Sequence, residues 1–253
     1  MSKQKHIPGT SKKGLLERKS FVEAVSVGPP VIAAIGAAMN APSVEMAAWL
    51  GFGALWLTGA SIVKVLHART QDKTAQRQAD HDGLIGALYV LQATVAESCG
   101  ILGDVDSHLR LTVHRVVLPS GKDGKLADAE EIEQVVDYVG GDGGGGGRRF
   151  SVRSGVTGLA IRKGEPCAGL RQSDDEVAYV NELKSQWGYT DQDARKIARG
   201  RYSFMAVPIR CGQHVVGVIY LDSDQRDLFT GTEIADQVVA ACGGINRYVD
   251  WRY

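Results

Sequence analysis

Two uncharged stretches dominate the first third of the chain. Residues 24–39 carry no charge, and extension back to Phe21 adds only Glu23; residues 46–63 are uncharged too, with Lys64 directly after. Each approaches the roughly 20 residues an α-helix needs to cross a bilayer core. Only residues 40–45 separate them, and Pro42 favours a tight turn there. The pattern therefore predicts an antiparallel two-helix transmembrane hairpin over 21–67, with Pro29-Pro30 kinking the first helix. Small residues on both runs, Ala33, Gly36 and Ala37 on one and Gly51, Gly53 and Gly59 on the other, let two backbones approach closely.

Beyond the hairpin the period changes. Residues 68–81 are polar and free of Gly and Pro, which predicts a solvated helical connector. Apolar positions then recur at Leu84, Leu88, Leu91, Val95 and Leu102, one stripe along a helix. A second stripe, Ile234, Val238, Ala241, Ile245 and Tyr248, marks the C-terminal helix. Such stripes serve either to pack on a sheet of the same domain or to form a two-fold helical bundle.

Between the stripes lie strand signals. Residues 109–118 and 132–139 are rich in β-branched side chains and bounded by Pro-Ser-Gly and Gly-Gly, and 150–152 starts a third strand that turns into a helix at 154–163. Residues 174–199 are helical in period, interrupted near Gly188-Tyr189, with Asp191 as N-cap of the second half. Two apolar runs, 204–211 and 214–223, form a hairpin around Gly212-Gln213. The order is α+β: an antiparallel sheet flanked by helices over 82–253.

Charge then sets orientation. Lys+Arg and Asp+Glu both number 29, so no polyanionic or nucleic-acid partner is expected from bulk charge. Its distribution is uneven. Lys3, Lys5, Lys12, Lys13, Arg18 and Lys19 crowd segment 1–20, and Lys64, His67, Arg69, Lys73 and Arg77 follow the second run. The loop between the runs has no Lys or Arg, so both termini are expected in the cytoplasm, with a multi-pass location in a cell inner membrane. A secretory signal, a soluble hairpin buried in an oligomer, and a single span with an interfacial partner are the competing readings of 21–67. The scattered Cys99, Cys167, Cys211 and Cys242 match neither zinc spacing nor a disulfide framework, and read as reduced buried thiols.

The phrases GVTGLAIRKGEP (155–166), FMAVPIR (204–210) and GVIYLDS (217–223), in this order of elements, resemble the GAF domain, a small-molecule sensor module. The resemblance covers residues 82–253 and implies a pocket between the sheet and the helices that cover it. Mapped onto this chain, it points to Phe150, the 173–199 cover and the strand start at 201–204. Arg171, Tyr179, Arg201, Tyr202 and Ser203 would offer donors and stacking surfaces for a planar or anionic ligand. It also implies dimerisation through the terminal helices.

Several more specific chemistries are disfavoured. The glycines of 140–147 lead into a strand, so they read as a strand-to-strand loop and not a phosphate-binding loop. Gly155 and Gly158 read as a tight turn with close backbone approach at a helix start. Cyclic-nucleotide-binding members carry an Asn-Lys pair; residues 222–233 retain Phe229 and Glu233 but lack it. Bilin-binding members attach the pigment near a Cys-His pair, absent here, and Cys167 alone lies near the implied pocket, against the cysteine cluster of the methionine sulfoxide reductases of this family. His114, His214, Asp174 and Asp175 show no acid–base spacing. No enzyme is expected, and no metal site.

The sequence thus predicts a membrane-anchored homodimeric sensor of a small cytosolic ligand, passing helix repacking to its hairpin or to a partner. Two other readings stay open: a nucleotide-signal-gated membrane effector whose hairpin permeabilises the membrane, and a ligand-free GAF scaffold for protein interaction.

Overall fold

The structure is a computed structural model that describes residues 22–23, 26, 29–35, 44–101, 103–117, 129–197 and 200–250. The described residues divide into two compact units, one within residues 10–79 and one from residue 80 onward.

In the first unit, residues 29–35 are helical, and helix α1 (Val44–Ser98) begins here and runs unbroken into the second unit. No Gly or Pro lies in its polar middle, so the expected connector at 68–81 is simply part of one 55-residue helix. A Cβ built on Gly53 would lie 3.2 Å from the Ala33 Cβ, so the two helical segments do approach through small residues. Among the described residues one stretch, Gly51–Arg69, is long and apolar enough to cross a membrane. It begins about five residues later than the expected 46–63. Much of the first expected span, including Phe21 and 36–39, lies outside the described residues. Leu55 is 78% exposed, and Phe52, Leu57, Ile62, Val65 and Leu66 are also exposed.

The second unit is α+β and GAF-like. After a short helix α2 (Val105–His108), strands β1 (Leu109–Val117), β2 (Glu131–Gln134), β3 (Arg149–Ser151), β4 (Cys167–Leu170), β5 (Ser203–Cys211) and β6 (His214–Ser223) form one antiparallel sheet of order β3-β2-β1-β6-β5-β4. Between them come α3 (Gly155–Lys163), α4 (Glu176–Trp187) and α5 (Asp191–Ala194), and α6 (Thr232–Asp250) ends the order. The expected strand over 132–139 is shorter: β2 stops at Gln134, and Val139 rejoins β1 only through an isolated bridge to Leu111. Strand β4 is a gain over the sequence reading. Its four residues, two of them Ala and Gly, carry too little pattern to announce a strand.

The faces of the sheet differ. On one, Leu84, Leu88, Leu91 and Val95 of α1 and Ile234, Val238 and Ile245 of α6 pack against Leu111, Val113, Met205, Val207, Ile219 and Leu221. Both stripes are therefore used within this sheet's own core. The other face carries a second cluster in which α3 and α4 cover β5 and β6 through Val156, Ala160, Tyr179, Leu183, Phe204 and Val218.

Local signals fix the covering helices. Gly155 opens α3 at φ 77°, a left-handed conformation that L side chains adopt at a cost, and a Cβ on Gly158 would collide with the Val152 carbonyl oxygen. Asp175 caps α4 by accepting from the Ala178 N–H at 2.7 Å, and Gly188 ends it at φ 68°. The cap of α5 is Thr190, whose hydroxyl accepts from the Asp193 N–H at 3.1 Å. Asp191, the expected cap, sits one residue later in the first turn, where its carboxylate pairs with Arg195 and Lys184.

Candidate functional site

The covered face of the sheet is where this fold gathers polar groups. Strand alternation and register put Arg110, Thr112 and His114 of β1 beside Asp222, Tyr220 and Val218 of β6, with Gln134 of β2 opposite His114. His114 has its ring 5.4 Å from Phe150 and 6.2 Å from Tyr220, and Tyr138 lies 6.4 Å from Tyr220. Tyr189, on the α4–α5 connection, sets its hydroxyl against Gly155, where a Cβ would collide with it.

Electrostatics on this face are unusual for an interior. Asp222, almost wholly buried, accepts from Arg110 Nε and Nη2 at 2.7 Å each, and Arg201 Nε lies 3.5 Å away. Burial works against the Arg110 charge, but the bond to Asp222 and its negative charge outweigh this and raise the pKa. Burial also pushes the His114 imidazole down to about 3, so it is neutral at physiological pH. The same cause lifts Tyr179 and Tyr189 to about 12 and moves Tyr138 and Tyr220 upward, leaving neutral hydroxyls.

Among the described residues, five buried polar atoms on this side of the molecule have no hydrogen-bond partner: His114 Nδ1, Gln134 Oε1, Tyr179 Oη, Glu182 Oε1 and Trp187 Nε1. Native interiors leave few such groups. Tyr138, Trp187, Tyr189 and Tyr220 keep partial solvent exposure although sheet and helices flank them.

The residues singled out from sequence fall into three places. Arg171, Tyr179 and Tyr202 come together: the Arg171 guanidinium lies 4.2 Å from the Tyr179 ring centre and 5.4 Å from that of Tyr202. Arg201 joins the Arg110–Asp222 pair, and its Nη1 also reaches the carbonyls of Ser107 and His108 at 3.4 Å. Phe150 belongs to β3, the sheet edge opposite β4, and meets the site through His114. Ser203 alternates to the other face from Tyr202. Its hydroxyl donates to the Gln225 carbonyl at 2.6 Å and accepts from the Leu228 N–H at 3.2 Å, which pins the turn after β6.

Sequence reasoning set His114 aside for want of acid–base spacing and missed Tyr138, Tyr189, Tyr220 and the Arg110–Asp222 pair. A signal existed in β6, where Tyr220 and Asp222 alternate on one face of an otherwise apolar strand. The glycine run is an ordered loop: Gly146 N–H donates to Asp137 at 2.9 Å, Tyr138 N–H to the Gly144 carbonyl at 2.9 Å, and Gln134 Nε2 to the Val136 carbonyl at 3.0 Å.

No family model and no curated protein matches this chain. Solved structures do. A type II free methionine-R-sulfoxide reductase from Thermoplasma acidophilum is similar at 14% identity over 66% of this chain and 96% of its own, with a TM-score of 0.41. The free methionine-R-sulfoxide reductase of Neisseria meningitidis, in complex with its substrate, matches at 14% identity over 70% and 90%, TM-score 0.40. The GAF domain region of a putative membrane protein from Geobacter sulfurreducens matches at 17% identity over 66% and 98%, TM-score 0.38. The expectation of no enzyme is corrected by this finding, since reductases stand among the structures similar to this chain. Spacing of histidines and cysteines along a sequence was no ground for excluding catalysis. This fold brings together residues far apart in the chain, as it does His114, Gln134 and Tyr220.

Proposed function

We propose that the chain senses a small molecule held between the covered face of its sheet and the α3–α5 cover, and that it does so at a membrane. One observation carries the reading: the five buried polar atoms without partners, from His114 and Gln134 on the sheet to Tyr179, Glu182 and Trp187 on α4. Burying such groups unpaired is unfavourable, so a ligand or ordered water that satisfies them stabilises the fold. Arg171, Tyr179, Tyr202 and Arg201 are the residues of the sequence reading placed to meet it, with Phe150 at the rim; Ser203 serves the turn.

Membrane attachment is supported by the exposed apolar surface of Gly51–Arg69. In this proposal residues 21–39 form a second span, both termini are cytoplasmic and the protein works as a homodimer. The exposed side of α1 around Tyr89 and Val90, with Val239 of α6, supplies apolar surface for a second copy.

The test is a melting curve of full-length protein in detergent micelles with and without a metabolite extract. A ligand that prefers the folded state raises the melting temperature by mass action. Tyr202→Ala should remove the rise while leaving the unliganded melting temperature nearly unchanged. An extract that shifts neither protein overturns the sensing reading.

A further inference from the structure

A cleft between α4 and α5 carries an unpaired charge at its base. Arg171 is 4% exposed; its Nε donates to the Ser173 carbonyl at 2.7 Å and its Nη2 to the Asp174 carbonyl at 3.0 Å. Among the described residues Nη1 has no hydrogen-bond partner and no carboxylate lies within ion-pair distance. Of the acids near it, Asp174 pairs with Arg226, Glu182 Oε2 accepts from the Gln172 N–H at 3.2 Å, Asp191 pairs with Arg195 and Lys184, and Glu176 lines the same cleft. The flanking Tyr179 and Tyr202 rings are the other company of the guanidinium. Cation–ring attraction offsets only part of the cost of taking a cation out of water. An anion is the missing partner.

The cleft itself indicates the rest of that partner. It measures about 150 Å³, and Arg171 lines it together with Val177, Val180, Ala194 and Ile197. Those four side chains are aliphatic, Glu176, Asn181, Asp191 and Arg195 complete the wall with polar groups, and sites for drug-sized molecules run from about 300 to 1,000 Å³. One unpaired cation matches a single negative charge, and a planar guanidinium suits a carboxylate.

We propose that this cleft binds a short aliphatic monocarboxylate, its carboxylate on Arg171 and its hydrocarbon tail against Val177, Val180 and Ile197. The proposal rests on the sensing reading and names the chemistry recognised at the cover end of that site. At the rim, Asp191 is paired with Arg195 and Lys184, which leaves it less able to repel an incoming anion.

The experiment is isothermal titration of full-length protein in detergent micelles with butyrate, pentanoate, isovalerate and hexanoate, each beside its primary amide. The acids should bind and the amides should bind at least about tenfold more weakly, the scale of one lost charge-assisted contact. Arg171→Gln should abolish acid binding. Because Arg171 also holds two carbonyls and Arg171→Gln can fail to fold, a second pair of variants decides. Val177 is 70% exposed, so Val177→Glu and Val177→Gln leave the fold intact. Val177→Gln removes apolar wall and should weaken acid binding slightly, and Val177→Glu, which adds a negative charge, should weaken it several-fold further. Equal binding of acids and amides, binding indifferent to Val177→Glu, or no binding by any acid overturns the proposal. If extract still raises the melting temperature in those cases, the carboxylate assignment fails alone; if it does not, the sensing reading fails with it.

Discussion

Arg110 meets Asp222 side-on across β1 and β6, with Nε and Nη2 each 2.7 Å from a different carboxylate oxygen. The pair is fixed from both sides, by the Tyr138 ring 4.4 Å from the guanidinium and by Gly141, where a Cβ would lie 2.6 Å from Arg110 Cδ. Removing one partner of such a pair leaves an uncompensated buried charge. Asp222→Ala should cost about 3–5 kcal/mol of folding stability. Arg110→Met with Asp222→Leu should recover much of that loss. Chemical denaturation of wild type and the two variants checks both expectations, and a double variant no better than Asp222→Ala refutes the argument.

His114 gives a signed pH dependence. Its folded-state pKa is depressed to about 3 by burial, below the ordinary 6.5. Between those values the unfolded chain binds a proton that the folded chain does not. Stability should therefore fall as pH drops below about 6.5, by up to about 1.4 kcal/mol per unit. Melting curves of His114→Gln against wild type between pH 7 and pH 4 test this. The variant should lose less over that interval, and identical slopes would show that the imidazole is not the titrating group.

How legible all this was in the sequence depended on what each signal measures. The stripe at Leu84, Leu88, Leu91 and Val95 was visible because helical burial repeats along one chain segment, and all four are buried as that repeat demands. The hairpin of β5 and β6 was visible for the same local reason. The site was not. Arg110 and Asp222 are 112 residues apart, and only the antiparallel register of β1 and β6 places them together. Ser203 looked like part of the site because it adjoins Tyr202, yet neighbours in a strand point to opposite faces. Proximity in sequence was the misleading quantity there.

The stripe's burial also changes how a dimer is to be tested. Leu88 is fully buried against the sheet of its own subunit, so Leu88→Glu should unfold the domain and not merely separate two copies. Even Leu88→Ala should cost about 2–5 kcal/mol. Tyr89 and Val90 on the exposed side are 53% and 69% exposed. Val90→Glu should leave the melting temperature of the monomer within a degree or two and shift light-scattering mass from dimer to monomer. A mass indifferent to Val90→Glu would remove this surface from the interface.

Variants in the Gly51–Arg69 segment distinguish sensing from attack on a bilayer. The exposed side chains of Gly51–Arg69 predict that full-length protein sediments with membranes and resists carbonate extraction, while a fragment beginning at Asp82 stays soluble. Gly53 faces Ala33, with only 3.2 Å left for a Cβ. Gly53→Leu must therefore push the two helical segments apart. If the segments permeabilise the membrane when the sensor is filled, overexpression should depolarise the host, and Gly53→Leu should relieve that toxicity without reducing membrane association. If they serve as an anchor, wild type and Gly53→Leu should be equally well tolerated at matched expression, and both should remain in the membrane fraction. Membrane potential read with a voltage-sensitive dye after induction distinguishes the two. Depolarisation by both proteins alike would show that close packing at Gly53 plays no part in it.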